Sequence, residues 1–281
     1  MDLAIMIFPT DTSIQPIQLA KEVEARGFES LWFPEHSHIP TSRVTPWGGR
    51  EGAPPLPEMY WRSHDQFVAL AACAAVTEKL RLGTGITLVA QRDPVWLAKE
   101  VASLDMISNG RFELGVGYGW CVEEMRNHGL DYSKRRGILR EKLLLCKELW
   151  TNDEAEFSGK HIQFEKSWAW PKPTQTPHPP IVMGGAAGPK TAAHIAEFCD
   201  GWMPLGGNYD LDGGLSNIAS ACEKIDRDPA SLSLSMFYAG GAKPDDLKLH
   251  AEKGAKRGIL PLPSEGADKV LPLLDKYAAM L

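Results

Sequence analysis

Short apolar runs alternate with amphipathic stretches along the whole chain. The first run, LAIMIF at 3–8, stops at Pro9 and predicts a strand buried on both faces. IQLAKEVEARG at 17–27 then puts Ile17, Leu19, Ala20 and Val23 near one helical face, with Gly27 placed to end the helix. ESLWF at 29–33 predicts a second strand. A loop rich in proline and glycine follows, through TPWGGREGAPPLP; connections this long are usually functional. Regularity returns at residue 65. DQFVALAACAAVTEKL reads as an alanine-rich helix, and LRLGTGITLV as a third strand carrying two glycines. Asp93 and Pro94 supply an N-cap and a first-turn proline for a helix reaching Asn109, with Gly110 as its stop. RFELGVG predicts the fourth strand.

An amphipathic helix is predicted over 133–151, and EFSGKHIQF at 156–164 reads as a hairpin turned at Ser158-Gly159. WAWPKPTQTPHPP is too rich in proline for regular structure. PIVMGG, DGWMPL, SLSMFY and RGILPLP are read as the remaining strands, with helices at about 188–199, 214–226, 244–256 and 264–280. Strict alternation demands parallel strands, because each helix returns the chain to the starting edge of the sheet. An open doubly wound sheet is the rival arrangement. Every strand is short and none has a polar edge, which favours closure: α/β class, a (β/α)8 TIM barrel, one domain over 1–281, with an insertion at about 152–179 before the fifth strand.

Composition narrows the possibilities further. With 281 residues, 43% of them hydrophobic, the chain can bury a core without disulfides or metals. A net charge of −6 gives no basic face for nucleic acid. No apolar run approaches the roughly 20 residues that cross a bilayer. Asp2 stands where a signal peptide would be basic, and Pro9 ends the first apolar run. The five cysteines lack C-x-x-C spacing. The expectation is a cytoplasmic enzyme acting on a small molecule, with no nucleic-acid or membrane partner.

In such a barrel the active site forms where strands end and βα loops begin. Those positions hold Glu35, His36 and His38 after strand two, and Thr84-Gly85 leading to Gln91 and Arg92 after strand three. Strand four ends in Gly117, Tyr118, Gly119 and Trp120, and strand five in Gly184, Gly185 and Ala186. Pro204, Leu205 and Gly206 end strand six. Glycines before a helix let backbone N–H groups approach an anion, so MGGAAGPK, with Lys190 in the first helical turn, has the form of a phosphate cradle. The plainer alternative is that these glycines only make tight turns. GVGYGW at 115–120 is no dinucleotide fingerprint, since the third glycine comes one residue early. His36 and His38 have the H-x-H form of a metal pair, but the later strand ends offer no further ligands, so no metal is expected. One histidine facing a cofactor ring as a proton-transfer group fits better, against the alternative of simple packing. Among nine tryptophans, Trp47, Trp61, Trp120, Trp168 and Trp170 are expected in loops on the active face, with Trp120 lining the pocket.

The block LRLGTGITLVAQRDPVWLAKEVASLDMISNGRFELGVGYGW closely resembles the luciferase-like monooxygenase superfamily, and within it the coenzyme F420-dependent oxidoreductases. LWFPEHSHIP, MGGAAGPKTAAHIAEFCDGWMPL and RGILPLPSEGADKVLPLLDKYA extend the resemblance over nearly the whole chain. It implies a deazaflavin or flavin at the C-terminal strand ends and a non-proline cis peptide in strand three, placed at Thr84–Gly85. It implies cofactor contacts from Glu35, Thr84, Gly85, Tyr118, Gly119, Gly184, Gly185 and Ala186, with His36 near the reactive ring position as the catalytic group. His38 and Trp120 are assigned to the substrate pocket. The family's glucose-6-phosphate dehydrogenases have a glutamate where Trp120 stands, and a tryptophan where Pro40 stands, so a sugar phosphate is not the expected substrate.

The leading expectation is hydride transfer between F420 and an alcohol, carbonyl or activated alkene, the cofactor carrying the redox chemistry. An FMN-dependent monooxygenase on the same fold is the alternative, and a non-catalytic flavin-binding protein the third reading. A homodimer is expected, since the resemblance implies pairing through helices beside strands two and three and the helix at 65–78 is apolar.

Overall fold

The computed structural model describes residues 1–205 and 210–281, so Gly206 lies outside the described residues. In chain order it runs β1 (Asp2–Met6), α1 (Pro16–Ala25), β2 (Ser30–Phe33), α2 (Met59–Arg62), α3 (Gln66–Ala74), β3 (Arg81–Thr84), α4 (Pro94–Ile107) and β4 (Phe112–Val116). Then come α5 (Val122–Asn127), α6 (Arg135–Thr151), the hairpin strands β5 (Ala155–Ser158) and β6 (Gln163–Ser167), β7 (Ile181–Gly184), α7 (Pro189–Phe198) and β8 (Gly201–Met203). The chain finishes with α8 (Leu211–Glu223), β9 (Ser233–Phe237), α9 (Pro244–Glu252), β10 (Arg257–Pro261) and α10 (Ala267–Ala278). Eight strands close a barrel in the order β1-β10-β9-β8-β7-β4-β3-β2, and their pairings are parallel. The predicted TIM barrel is therefore the fold. No helix among the described residues is long and apolar enough to cross a membrane.

Local chemistry explains most element ends. The Asp93 side chain accepts from the N–H groups of Val95 and Trp96, and Pro94 fills the first turn of α4. Helix α3 stops at Ala74, short of the predicted 80. The next stretch is captured by Glu24, whose carboxylate accepts from the N–H groups of Glu78, Lys79 and Leu80.

Two apolar regions flank the sheet. The larger lies between strands and helices; the smaller fills the barrel with Ala4, Met6, Trp32, Val182, Met203 and Ile259. Trp32 occupies so much of that interior that a Cβ on Gly83 would stand 2.4 Å from its ring. Below it, at the N-terminal strand ends, Arg257 donates to Glu29 (2.6 Å) and Glu113 (2.7 Å), and Arg81 donates to Glu113 (2.7 Å). The Arg257 guanidinium also lies 5.1 Å from the centre of the Trp32 ring. Burial opposes ionisation of Glu113, but the two arginines overcome it and hold its carboxyl below the usual range.

The insertion is a hairpin as expected, but it does not stand on the active face. Helix α6 carries the chain back to the N-terminal edge, so whatever precedes β7 begins there. Lys172 Nζ donates to the carbonyl of Leu149 (2.7 Å) in the last turn of α6, and Gln175 bonds the buried Asp105 near the end of α4 (2.8 Å and 2.6 Å). Trp168 and Trp170 are exposed; the Trp170 carbonyl accepts from Lys99 of α4 and its ring lies 5.2 Å from Lys172. Neither stands on the active face, where the sequence reading placed them. The hairpin turn is pinned to the outside of α6 by Glu141, which accepts from the N–H groups of Lys160, His161 and Ile162.

Candidate active site

At the C-terminal mouth, β2 runs directly into Glu35, His36, Ser37 and His38. The Glu35 carboxylate accepts from Leu88 N–H (2.7 Å) and Arg92 Nε (2.7 Å), so it fastens the β3–α4 connection and is spent within the protein. It thus braces the loop that carries Gly85 and Ile86 towards α4. The loop beyond is tied to α5 by Glu123, which accepts from Val44 N–H (2.9 Å) and Thr45 N–H (3.1 Å). Burial works against the charged form of Glu123, yet these hydrogen bonds hold its carboxyl at about 2.

His36 is the best-defined group. Its side chain is 5% exposed, and its Nδ1 lies 2.8 Å from Oε2 of a fully buried Glu124 on α5. Ser37 N–H donates to the other oxygen of that carboxylate at 3.2 Å. Burial resists ionisation of Glu124, while the His36 hydrogen bond and charge prevail and keep the carboxyl below its ordinary value. Around the imidazole stand Tyr60 (ring centres 5.1 Å) and Trp120 (5.6 Å). Tyr60 in turn meets Trp47 (5.8 Å) and Phe8 (4.7 Å). Trp120 thus stands against His36 and Trp47 joins it through Tyr60, whereas Trp61 on α2 is exposed.

His38 turns elsewhere. Its ring nitrogens pair with Ser37 Oγ (2.9 Å) and Asn127 Nδ2 (2.9 Å), and its ring neighbours His128 at 5.5 Å. The two imidazoles of the H-x-H pair thus take different partners, and His38 stands beside His128 rather than against Tyr60 and Trp120. No group of three metal-ligating side chains occurs among the described residues.

The end of β3 differs in one respect from expectation. The cis peptide is Gly85–Ile86, one residue beyond the expected Thr84–Gly85. Thr84 is still a ladder residue, paired with Phe33, fully buried, and donating its hydroxyl to Gly115 O at 2.8 Å. Gly85 N–H donates to Phe33 O, so the chain leaves the sheet only after it. Thr84 thus has its side chain inside the barrel wall, while Gly85 and Ile86 are part-exposed at the mouth. A Cβ on Gly117 or Gly184 would stand 2.7 Å from Ile86, so these glycines first make room for that side chain.

The cradle half of the site is built from β4, β7 and α7. Tyr118 hydroxyl hydrogen-bonds His194 Nδ1 (2.8 Å), and the Arg136 guanidinium lies 4.2 Å from the Tyr118 ring centre. Arg136 also donates to Thr191 Oγ1 in the first turn of α7 (3.1 Å). Gly119 has φ +73° and turns the chain over Met125, whose Cε would be 2.4 Å from an added Cβ. Gly185 has φ +105° and open space on its Cβ side, but its N–H is already given to Met203 O. Ala186 is exposed, and α7 begins at Gly188 and Pro189 with no side-chain cap. The uncapped amides at the start of α7, beside Arg136, fit an anionic group. The part-exposed Gly85–Ile86 floor between His36 and Ile86's glycines fits a planar ring.

Sequence reading missed Glu124 and Tyr60. Each sits on a very short helix, six and four residues, too brief for apolar periodicity to register. The usable signal was the acidic pair Glu123-Glu124 in a first helical turn just after the strand-four end.

Comparison with known proteins agrees with this architecture. Residues 14–278 match the family described as luciferase-like monooxygenase, so the chain belongs to that family, an oxidoreductase and monooxygenase class of enzymes. An uncharacterized protein of Mycobacterium tuberculosis is 36% identical over 285 residues, covering 100% of this chain and 99% of the relative. Two relatives with assigned activities are more distant. An F420-dependent hydroxymycolic acid dehydrogenase of M. tuberculosis is 26% identical over 80% of this chain and 57% of its own length. The oxygenase component of a flavin-dependent trigonelline monooxygenase of Acinetobacter baylyi is 28% identical over 82% and 60%. Among solved structures, a monooxygenase from Streptomyces bottropensis superposes with TM-score 0.78 at 20% identity, covering 100% of this chain and 98% of the other. The coenzyme F420-dependent tetrahydromethanopterin reductase of Methanopyrus kandleri gives 0.75 at 17%, with the same coverage.

Proposed function

We propose that this luciferase-like enzyme is an F420-dependent oxidoreductase that moves a hydride between the deazaflavin and a small apolar alcohol, carbonyl or activated alkene. The observation that carries the reading is the buried His36–Glu124 pair opening onto a wall of Tyr60, Trp47 and Trp120. The deazaflavin, when bound, supplies or takes the hydride; the chain handles the accompanying proton. Because an ionised carboxylate only accepts hydrogen bonds, Glu124 commits His36 Nδ1 as a donor and leaves Nε2 to exchange a proton with substrate oxygen or carbon. The wall offers the substrate mainly aromatic ring surface. Trp120 in place of an acid, as the sequence suggested, supports a non-sugar substrate. Gly85 and Ile86 would floor the ring, with Gly119, Gly184 and Gly185 shaping the turns around it. Ala186, Tyr118, Arg136 and Lys190 with the start of α7 would hold the anionic end.

Fluorescence titration of the purified protein with F420 and with FMN tests the assignment. Saturable F420 binding with hydride transfer to a secondary alcohol or enone series is expected. Binding of FMN alone, with oxygen uptake when reduced FMN and substrate are present, would instead establish the monooxygenase reading, which the relationship to the trigonelline enzyme supports. Cofactor binding without any turnover would leave a flavin-binding protein. We also propose a homodimer, supported by Val68 of α3 and Trp96 and Ile107 of α4, all more than half exposed; light scattering in solution checks it.

A further inference from the structure

We infer that Glu124 is the positioning residue that fixes His36 as its Nδ1–H tautomer and aims Nε2 into the pocket. This rests on the reading above only in taking His36 as the proton-exchanging group. Four observations carry it. The carboxylate is fully buried, so its hydrogen bonds within the protein set its orientation. One oxygen faces Nδ1 at 2.8 Å and the other takes Ser37 N–H at 3.2 Å, which locks the plane of the carboxylate against the start of the β2 loop. His36 is itself nearly enclosed, with Tyr60 and Trp120 against its ring, so a flip of the imidazole would have to displace an aromatic neighbour. Finally, α5 has two adjacent glutamates with separate tasks: Glu123 holds Val44 and Thr45, while Glu124 alone reaches the imidazole.

A charged acceptor at Nδ1 does two things to a histidine. It selects which nitrogen carries the hydrogen, and it stabilises the imidazolium formed when the other nitrogen takes a proton. Both act on the proton-transfer step and neither contributes to binding the ring or the substrate. Gln at 124 would keep the shape of the side chain while offering a donor and an acceptor, so it would no longer dictate the tautomer.

The test uses histidine-labelled protein without cofactor, whose 15N–1H correlations report the tautomer of each ring. Wild type is expected to show His36 with hydrogen on Nδ1, and Glu124→Gln to show a mixture of both forms. In F420-linked turnover, kcat of Glu124→Gln should fall on the order of 10²-fold with KM changed by less than about twofold, because only the transition state feels the loss. Glu124→Asp should recover part of it. A wild-type His36 carrying its hydrogen on Nε2 overturns the inference without any variant. So does a Glu124→Gln protein with unchanged tautomer and unchanged kcat. If no F420 turnover is found in wild type but the tautomer still responds to Glu124→Gln, the positioning role stands and the functional reading falls.

Discussion

Both ends of this barrel bury carboxylates, and Glu113 at one end and Glu124 at the other are treated in opposite ways. At the N-terminal end Glu113 and Glu29 are matched by Arg257 and Arg81, and the guanidinium of Arg257 lies over Trp32, so charge is neutralised within the chain. At the C-terminal end Glu124 is matched only by a histidine, and that histidine keeps one nitrogen uncommitted among the described residues. A complete network specifies and seals, since every buried charge has its partner. An incomplete one stores a capacity for chemistry. The same fold therefore carries a structural end and a reactive end, distinguished by whether the polar atoms are all used.

The largest effect that would break this contrast comes from the reactive end. His36→Ala should lower kcat by about 10²–10⁴-fold, the range of general acid–base contributions, together with a loss of thermal stability because the buried Glu124 carboxylate is left without its partner. A large stability loss without a rate loss would place His36 with the structural residues. At the sealed end, Glu113→Gln leaves two arginines short of a partner and should cost about 3–5 kcal/mol in denaturant unfolding. Cofactor affinity measured in the folded fraction should be unchanged, and a change in it would mean that the lower network reaches the mouth. The smallest effect concerns the loop that carries the aromatic wall. The Glu123 carboxyl titrates at about 2 in the folded protein against an ordinary 4.5, so its anchoring is complete above about 4.5 and fades as pH falls towards 2. Protection of the Val44 and Thr45 amides, relative to the intrinsic exchange rate at each pH, should fall across that window, and at neutral pH in Glu123→Gln; unchanged protection would show that the loop does not depend on this carboxylate.

The barrel was legible because its evidence is repetitive: runs such as LAIMIF and ESLWF recur between helical stretches, which demands parallel strands, and the lack of a polar edge strand favoured closure over an open sheet. His36 and Trp120 were legible because they follow strand ends closely, and Trp47 because the long loop after the second strand opens on that same end of the barrel. What escaped the sequence has specific causes. Trp168 and Trp170 were assigned to the wrong face because a proline-rich loop looks the same at either end of a barrel, and only the direction of α6 distinguishes them. The peptide bend was placed one residue early because Thr84 and Gly85 do not reveal where the ladder with Phe33 stops. The position of Glu35 did not reveal its contacts with Arg92 and Leu88, which brace the β3–α4 connection. Glu124 needed the fold, since it lies 88 residues from His36 along the chain.

The packing of Ile86 against Gly117 and Gly184 binds three distant positions to a common history. An added methyl at either glycine would stand 2.7 Å from that one side chain, from its terminal methyl at 117 and from its branch methyl at 184, so the isoleucine must shift to admit either and more so for 184. Across the lineage the three sites should therefore drift together. A descendant that acquires alanine at 117 or 184 is expected to have first traded Ile86 for something smaller, and that substitution would deepen the chamber. The order of mutations, and not only their identity, is constrained here by the room around one isoleucine.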